Sequence, residues 1–235
     1  MANPMISKVK EMSTYSNEET ATYAGIAVKS FGLVALVAVA AITTWAGSYA
    51  TTTTSVVTAM MGFITVLAIS FRPTFAAFLS PLYAILEGMC LASISATFAT
   101  AYPGIVISAV IITFGIAAGA AIVYAKGYVT VNEKFTRMVS IAIMGVLATY
   151  IIEIILSFFG IQIPMIHQGG PLGIIVSLVV VGVATFCLFL DYEQISQSVR
   201  QGLSADYEWY CAFSLLVTLI WLYIEILDLL RKIRE

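Results

Sequence analysis

Charge is what this sequence has least of. Only 10% of its 235 residues are Asp, Glu, Lys or Arg, against 60% hydrophobic, whereas a water-soluble domain carries about 25% charged residues. With a mean hydropathy of +0.99, the chain cannot cover itself with a water-compatible surface and belongs in lipid. Its 11 basic and 13 acidic side chains nearly cancel, which excludes a basic field for nucleic acid and an acidic tail for a cationic partner. Ligands for metal and redox chemistry are equally scarce. The one histidine, His167, and the three cysteines, Cys90, Cys187 and Cys211, are scattered with no C-x-x-C spacing, so the cysteines read as packing residues and His167 as a loop residue between Pro164 and Pro171. H-E-x-x-H, the Walker P-loop and G-x-S-x-G are also missing, which leaves no recognisable enzyme machinery and no expected cofactor. Residues 1–24 are polar, with Lys8, Lys10, Glu11, Glu18 and Glu19. They hold no apolar core ending in a cleavage site, so the first apolar run is expected to act as its own insertion signal.

What the chain has instead is a series of runs long enough to cross a hydrocarbon core roughly 30 Å thick, which takes about 20 apolar residues in a helix. Seven appear, near 25–46, 50–71, 75–98, 104–125, 138–159, 171–190 and 209–230. They predict an all-α, polytopic membrane protein: a seven-helix transmembrane bundle over 25–230, a polar cytoplasmic tail over 1–24 and a short basic tail over 231–235. Pro73, Pro103 and Pro171 stand at helix starts, where a missing N–H costs nothing, and Thr130-x-x-Glu133 reads as a capping box ahead of the fifth span. Gly115-x-x-x-Gly119 is expected to let another helix approach closely.

Lys8, Lys10, Lys29, Arg72, Lys126, Lys134, Arg137 and Arg200 fall on one side, while the loops near 47–55, 99–103 and 160–170 hold no Lys or Arg. That distribution puts the amino terminus inside. Arg231, Lys232 and Arg234 break the pattern if the last run crosses completely, so a full crossing and a re-entrant segment both stay open.

Ionisable residues at hydrocarbon depth are functional candidates by default. Here they are Glu87, Glu153, Asp191, Glu225 and Asp228, none with a basic partner inside the expected boundaries of its own span. At a rise of about 1.5 Å per residue, Glu87, Glu153 and Glu225 come out roughly 18, 22 and 24 Å from the inner ends of their helices. Facing inward at a common level, they would form a carboxylate ring, which must hold protons or cations because desolvation and mutual repulsion both oppose full ionisation. Oxygen-only ligands suit a hard ion such as Ca²⁺. Pro81, a little before Glu87, is expected to kink the third helix and free a carbonyl toward a cavity. The competing reading has each glutamate protonated and hydrogen-bonded to a neighbouring helix. Asp191, closing the sixth span in FLDYEQI, reads either as a solvated end residue or as part of the path. No lysine falls within the expected seventh span.

FLDYEQI, followed by DYEWYCAF and WLYIEIL, resembles the Bax inhibitor/YccA-like family, the transmembrane Bax inhibitor motif proteins. FRPTFAAFLSPLYAILEGM, YPGIV, GPLGI and SLLVTLIWLYIEIL extend the likeness, which is to a bacterial branch, over most of the chain. The resemblance implies a seven-helix bundle with the last helix central. It also implies a pH-sensitive Ca²⁺ leak governed by two aspartates, one on the sixth helix and one on the seventh. Asp191 takes the first place; the second falls on Glu225 if LYIE is matched to the family's LYLD pattern, or on Val217 if DYEWYC is matched to the start of the last helix. The expected function is therefore a passive, proton-sensitive cation pathway in the bacterial inner membrane, with Ca²⁺ or H⁺ as the ion. Glu87, Glu153 and Glu225 would bind the ion, and Asp191 and Asp228 would gate it. The alternative is a non-transporting protein that modulates another membrane protein, such as a quality-control protease. The expected surroundings are the lipid bilayer, Ca²⁺ and such a membrane partner; oligomeric state is not legible.

Overall fold

A computed structural model of the chain describes residues 19–159 and 170–235. His167 and Pro164, like Lys8, Lys10, Glu11 and Glu18, lie outside the described residues. Within them the chain forms seven long apolar helices, each of a length and composition that can cross a membrane. These are α1 (Tyr23–Ala46), α2 (Thr52–Phe71), α3 (Ala76–Ala101), α4 (Ile105–Ala125), α5 (Glu133–Phe158), α6 (Pro171–Arg200) and α7 (Tyr207–Arg234). The described residues contain no strand beyond one isolated bridge between Thr20 and Ser204. Phe31, Phe71 and Phe78 are 75%, 74% and 81% exposed, a surface that only a lipid solvent tolerates.

The helix ends follow local chemistry. Thr22 caps α1 and Thr51 caps α2, each hydroxyl accepting the N–H three residues on. Pro73 opens a 3₁₀ turn, Pro73–Phe75, ahead of α3, and Pro171 is the first residue of α6. Gly104, with φ 78°, caps α4 behind Pro103. Three boundaries differ from expectation. The fifth helix starts five residues early because Asn132, not Thr130, caps it, its Oδ1 accepting the Phe135 N–H at 2.9 Å. The sixth continues ten residues past its apolar run to Arg200, which puts Asp191 inside a helix. The seventh includes residues 231–234, expected as a tail, so the lysine missing from the expected seventh span is present as Lys232.

The chain divides into two compact units, one of Met1–Thr97 with Glu193–Val217 and one of Phe98–Tyr192 with Thr218–Glu235. In the first, Tyr83 of α3 packs edge-on against Phe213 of α7, ring centroids 5.1 Å apart. Residues 19–21 lie alongside 203–205, with Ala21 N–H donating to Leu203 O at 2.7 Å and Ala205 N–H to Glu19 O at 3.1 Å. In the second, the Tyr192 hydroxyl of α6 donates to the Ala117 carbonyl of α4 at 2.9 Å, and Phe135 of α5 meets Phe186 and Phe189 edge-on. The buried share is largest in α7, at 56% of its apolar stretch, and smallest in α5, at 6%.

Close helix approach occurs at Gly88 and not at Gly115-x-x-x-Gly119. A Cβ on Gly88 would lie 2.5 Å from the Val37 carbonyl oxygen and 2.7 Å from the Ala40 Cβ of α1, while one on Gly115 or Gly119 would meet nothing within 4 Å. Among the described residues, the small pair in α4 therefore brings no neighbour close. Gly88→Val is expected to destabilise the protein by about 2–3 kcal/mol through overpacking against backbone, and Gly115→Ala to change stability by less than about 0.5 kcal/mol. Thermal unfolding in detergent measures both, and equal effects would disprove the assigned contact.

Candidate functional site

The intramembrane carboxylates fall in both units. In the first, Glu87 stands one turn after Tyr83, whose hydroxyl is its hydrogen-bonding neighbour. Room for the carboxylate comes from Gly62 of α2, where a Cβ would lie 2.7 Å from Glu87 Oε1. Pro81 stays within α3, and the helix runs on through it.

The second unit holds the denser cluster. Glu225 of α7 is 7% exposed, and its Oε1 accepts both the Tyr150 hydroxyl of α5 and the Trp221 Nε1–H, the latter at 2.9 Å. One turn along, Asp228 Oδ2 pairs with Lys232 Nζ at 2.7 Å and its Oδ1 with Arg231 Nη2 at 2.7 Å. The Lys232 ammonium also donates to Ser177 Oγ of α6 at 2.7 Å. Asp228 thus has two basic partners on its own helix, contrary to expectation, because α7 extends past residue 230. Glu153 lies three residues beyond Tyr150 on α5, and Tyr150 feels Glu225, Asp228 and Glu153 electrostatically. Since α5 and α7 run the same way, Glu153 is level with Asp228, about 4.5 Å beyond Glu225. Among the described residues, no group of three or more His, Cys, Asp or Glu side chains could hold a metal ion, the expected ring of Glu87, Glu153 and Glu225 included. The three cysteines are buried, and none is in a disulfide among the described residues.

These contacts also decide how the last helix runs. α7 is unbroken over 28 residues, about 42 Å at the helical rise. Its far end lies beside the start of α6 through Ser177 and beside the turn at residues 102–104, where Arg234 Nη1 donates to the Pro103 carbonyl at 3.0 Å. The segment is one unbroken helix of a length and composition that can cross a membrane, as the full-crossing expectation requires. Asp228 and Glu235 accept from Arg231, and Asp228 from Lys232, so much of the basic charge at this end is neutralised locally.

A family model described as Bax inhibitor 1 like matches residues 3–235. The chain belongs to that family. No curated protein and no solved structure matches it. For this Bax inhibitor 1 like membrane protein, the two-aspartate arrangement implied by the resemblance can be tested on α6 and α7. Ser177 faces Asp228 and Lys232, which sets the register of two antiparallel helices. Glu225 is then level with a point near residue 182, and Asp191 lies roughly 13 Å farther along. Asp191 and Glu225 do not pair. Asp191 is nonetheless 7% exposed, well inside α6, so the solvated-end reading of it is wrong.

A site the sequence reading missed lies at the start of α7. Glu208, 4% exposed, accepts the Thr22 backbone N–H at 2.7 Å and the Thr22 hydroxyl at 3.1 Å. Its other oxygen is ion-paired with Lys29 of α1. A lysine within a span calls for a counter-charge, and that signal was in the sequence, but Lys29 served there only to orient the chain.

Proposed function

We propose that this family member provides a passive, proton-sensitive pathway for a cation, Ca²⁺ by preference, through the inner membrane of a bacterium, with its amino terminus in the cytoplasm and without catalytic chemistry. The observation that carries the reading is Glu225, a carboxylate buried within a membrane-crossing helix. Tyr150 and Trp221, both neutral donors, hold it, and Glu153 and Asp228 stand one turn farther along. A buried carboxylate held by neutral donors keeps its charge available to a proton or a hard cation. Glu87 is a second station in its own unit, and Asp191 takes part from α6. Protonation neutralises these groups and changes conduction, which is how the pathway senses pH.

Ca²⁺ entry into liposomes carrying the purified protein, followed from acid to neutral pH, tests this directly. A protein-dependent, pH-dependent flux is the expected result. One observation favours a second reading, a non-transporting protein that regulates another membrane protein: Asp228 is fully engaged by Lys232 and Arg231, as a purely structural carboxylate would be. A leak no greater than that of empty liposomes would select that reading.

A further inference from the structure

Lys29 lies six residues after Tyr23 on α1, about 9 Å along the helix. Its side chain leans back toward the helix start, as helical side chains do, and its ammonium reaches the carboxylate that also holds the Thr22 N–H. The charge therefore sits near the level of the cap of α1, where a membrane's headgroups begin. Beside it runs an open groove of about 710 Å³ whose lining includes Lys29, Gly32, Leu33 and Leu36 of α1, Pro81 of α3 and Trp209 of α7. The Trp209 ring centroid is 5.5 Å from Lys29 Nζ. The space over Gly32 is open, for a Cβ there would meet nothing within 4 Å.

The charge offered to this groove is positive. Glu208 is absent from its lining, its side chain is 5% exposed, and its oxygens are engaged by Thr22 and Lys29. Lys29 is 22% exposed, and of the three N–H bonds of an ammonium the pair with Glu208 occupies one. An ammonium at headgroup level, an interfacial tryptophan beside it and an apolar trough running toward mid-span match the parts of a phospholipid in order. We propose that the groove holds one glycerophospholipid, its phosphate on Lys29, its glycerol against Trp209 and an acyl chain along Gly32, Leu33, Leu36 and Pro81. The site lies within one unit and does not depend on the ion pathway.

Native mass spectrometry of delipidated protein, offered equimolar phosphatidylglycerol and a diacylglycerol with the same chains, tests the assignment. One phosphatidylglycerol per chain should be retained, preferred about fivefold over the diacylglycerol. Gly32→Phe fills the trough without touching the Lys29–Glu208 pair and should lower retention about fivefold with no loss of Tm; Leu36→Trp is the second variant should Gly32→Phe fail to fold. Free glycerol phosphate in excess should not displace the lipid. Equal retention of both lipids, undiminished retention in the folded variants, or displacement by free glycerol phosphate would each overturn the proposal.

Discussion

Replacing Glu225 by glutamine is expected to lower Ca²⁺ entry into liposomes about tenfold at neutral pH and to abolish most of its change between neutral and acid pH. Both donors at this position, Tyr150 and Trp221, converge on Oε1. Glutamine keeps an Oε1 that accepts the same two bonds, so the link between α5 and α7 survives and what is removed is the charge. At neutral pH the variant therefore imitates the wild type with its carboxylate protonated, and its flux should match wild-type flux at acid pH. Glu225→Asp retains a titrating group and should retain a pH response. Wild-type flux at every pH in a folded Glu225→Gln protein would remove this residue from the pathway, and would shift attention to Glu87 in the other unit.

Glu208→Ala is expected to be the most destabilising single change at a charged residue, by about 2–3 kcal/mol. Breaking a buried ion pair from one side costs more than this when both partners are enclosed; here Lys29 is 22% exposed, which reduces the penalty. The loss has separate sources: Lys29 is left without its counter-charge, and the Thr22 N–H and hydroxyl lose their acceptor just where α1 begins. A protein of this length should lose roughly 5–10 °C of Tm in detergent. Lys29→Met leaves Glu208 with its two Thr22 donors and should cost less, and the double variant should be less destabilised than the sum of the two singles, since both remove the same interaction. Strict additivity would show that the pair contributes nothing by its contact.

The number of helices and their approximate limits were legible because each depends on a short window of sequence. A run of about 20 apolar residues between polar turns has few alternatives in lipid, and Pro73 and Pro171 marked starts that the helices obey. Errors arose where a helix outlasts its apolar run. FLDYEQISQSVR continues α6 because a helix needs only satisfied backbone, not apolar side chains, and RKIR continues α7 because Asp228 and Glu235 lie at helical spacing to accept from it. A capping Asn132 two residues from a plausible Thr130 moved the start of α5, and with it the level assigned to Glu153.

Family membership and the presence of carboxylates within the spans were determined by sequence alone, since motif order and composition need no coordinates. Which groups surround each carboxylate was decided only by the tertiary structure. Tyr150 and Glu225 are 75 residues apart in the chain, Ser177 and Lys232 are 55 apart, and Thr22 and Glu208 are 186 apart. No local pattern encodes such pairings, because they depend on helix rotation and register, which are set by side chains packing across the bundle at sites such as Gly88 and not by periodicity within one helix. The same reason explains why Gly115-x-x-x-Gly119 signalled an approach that α4 does not make: spacing shows where a helix can be approached, and only the neighbours determine whether it is.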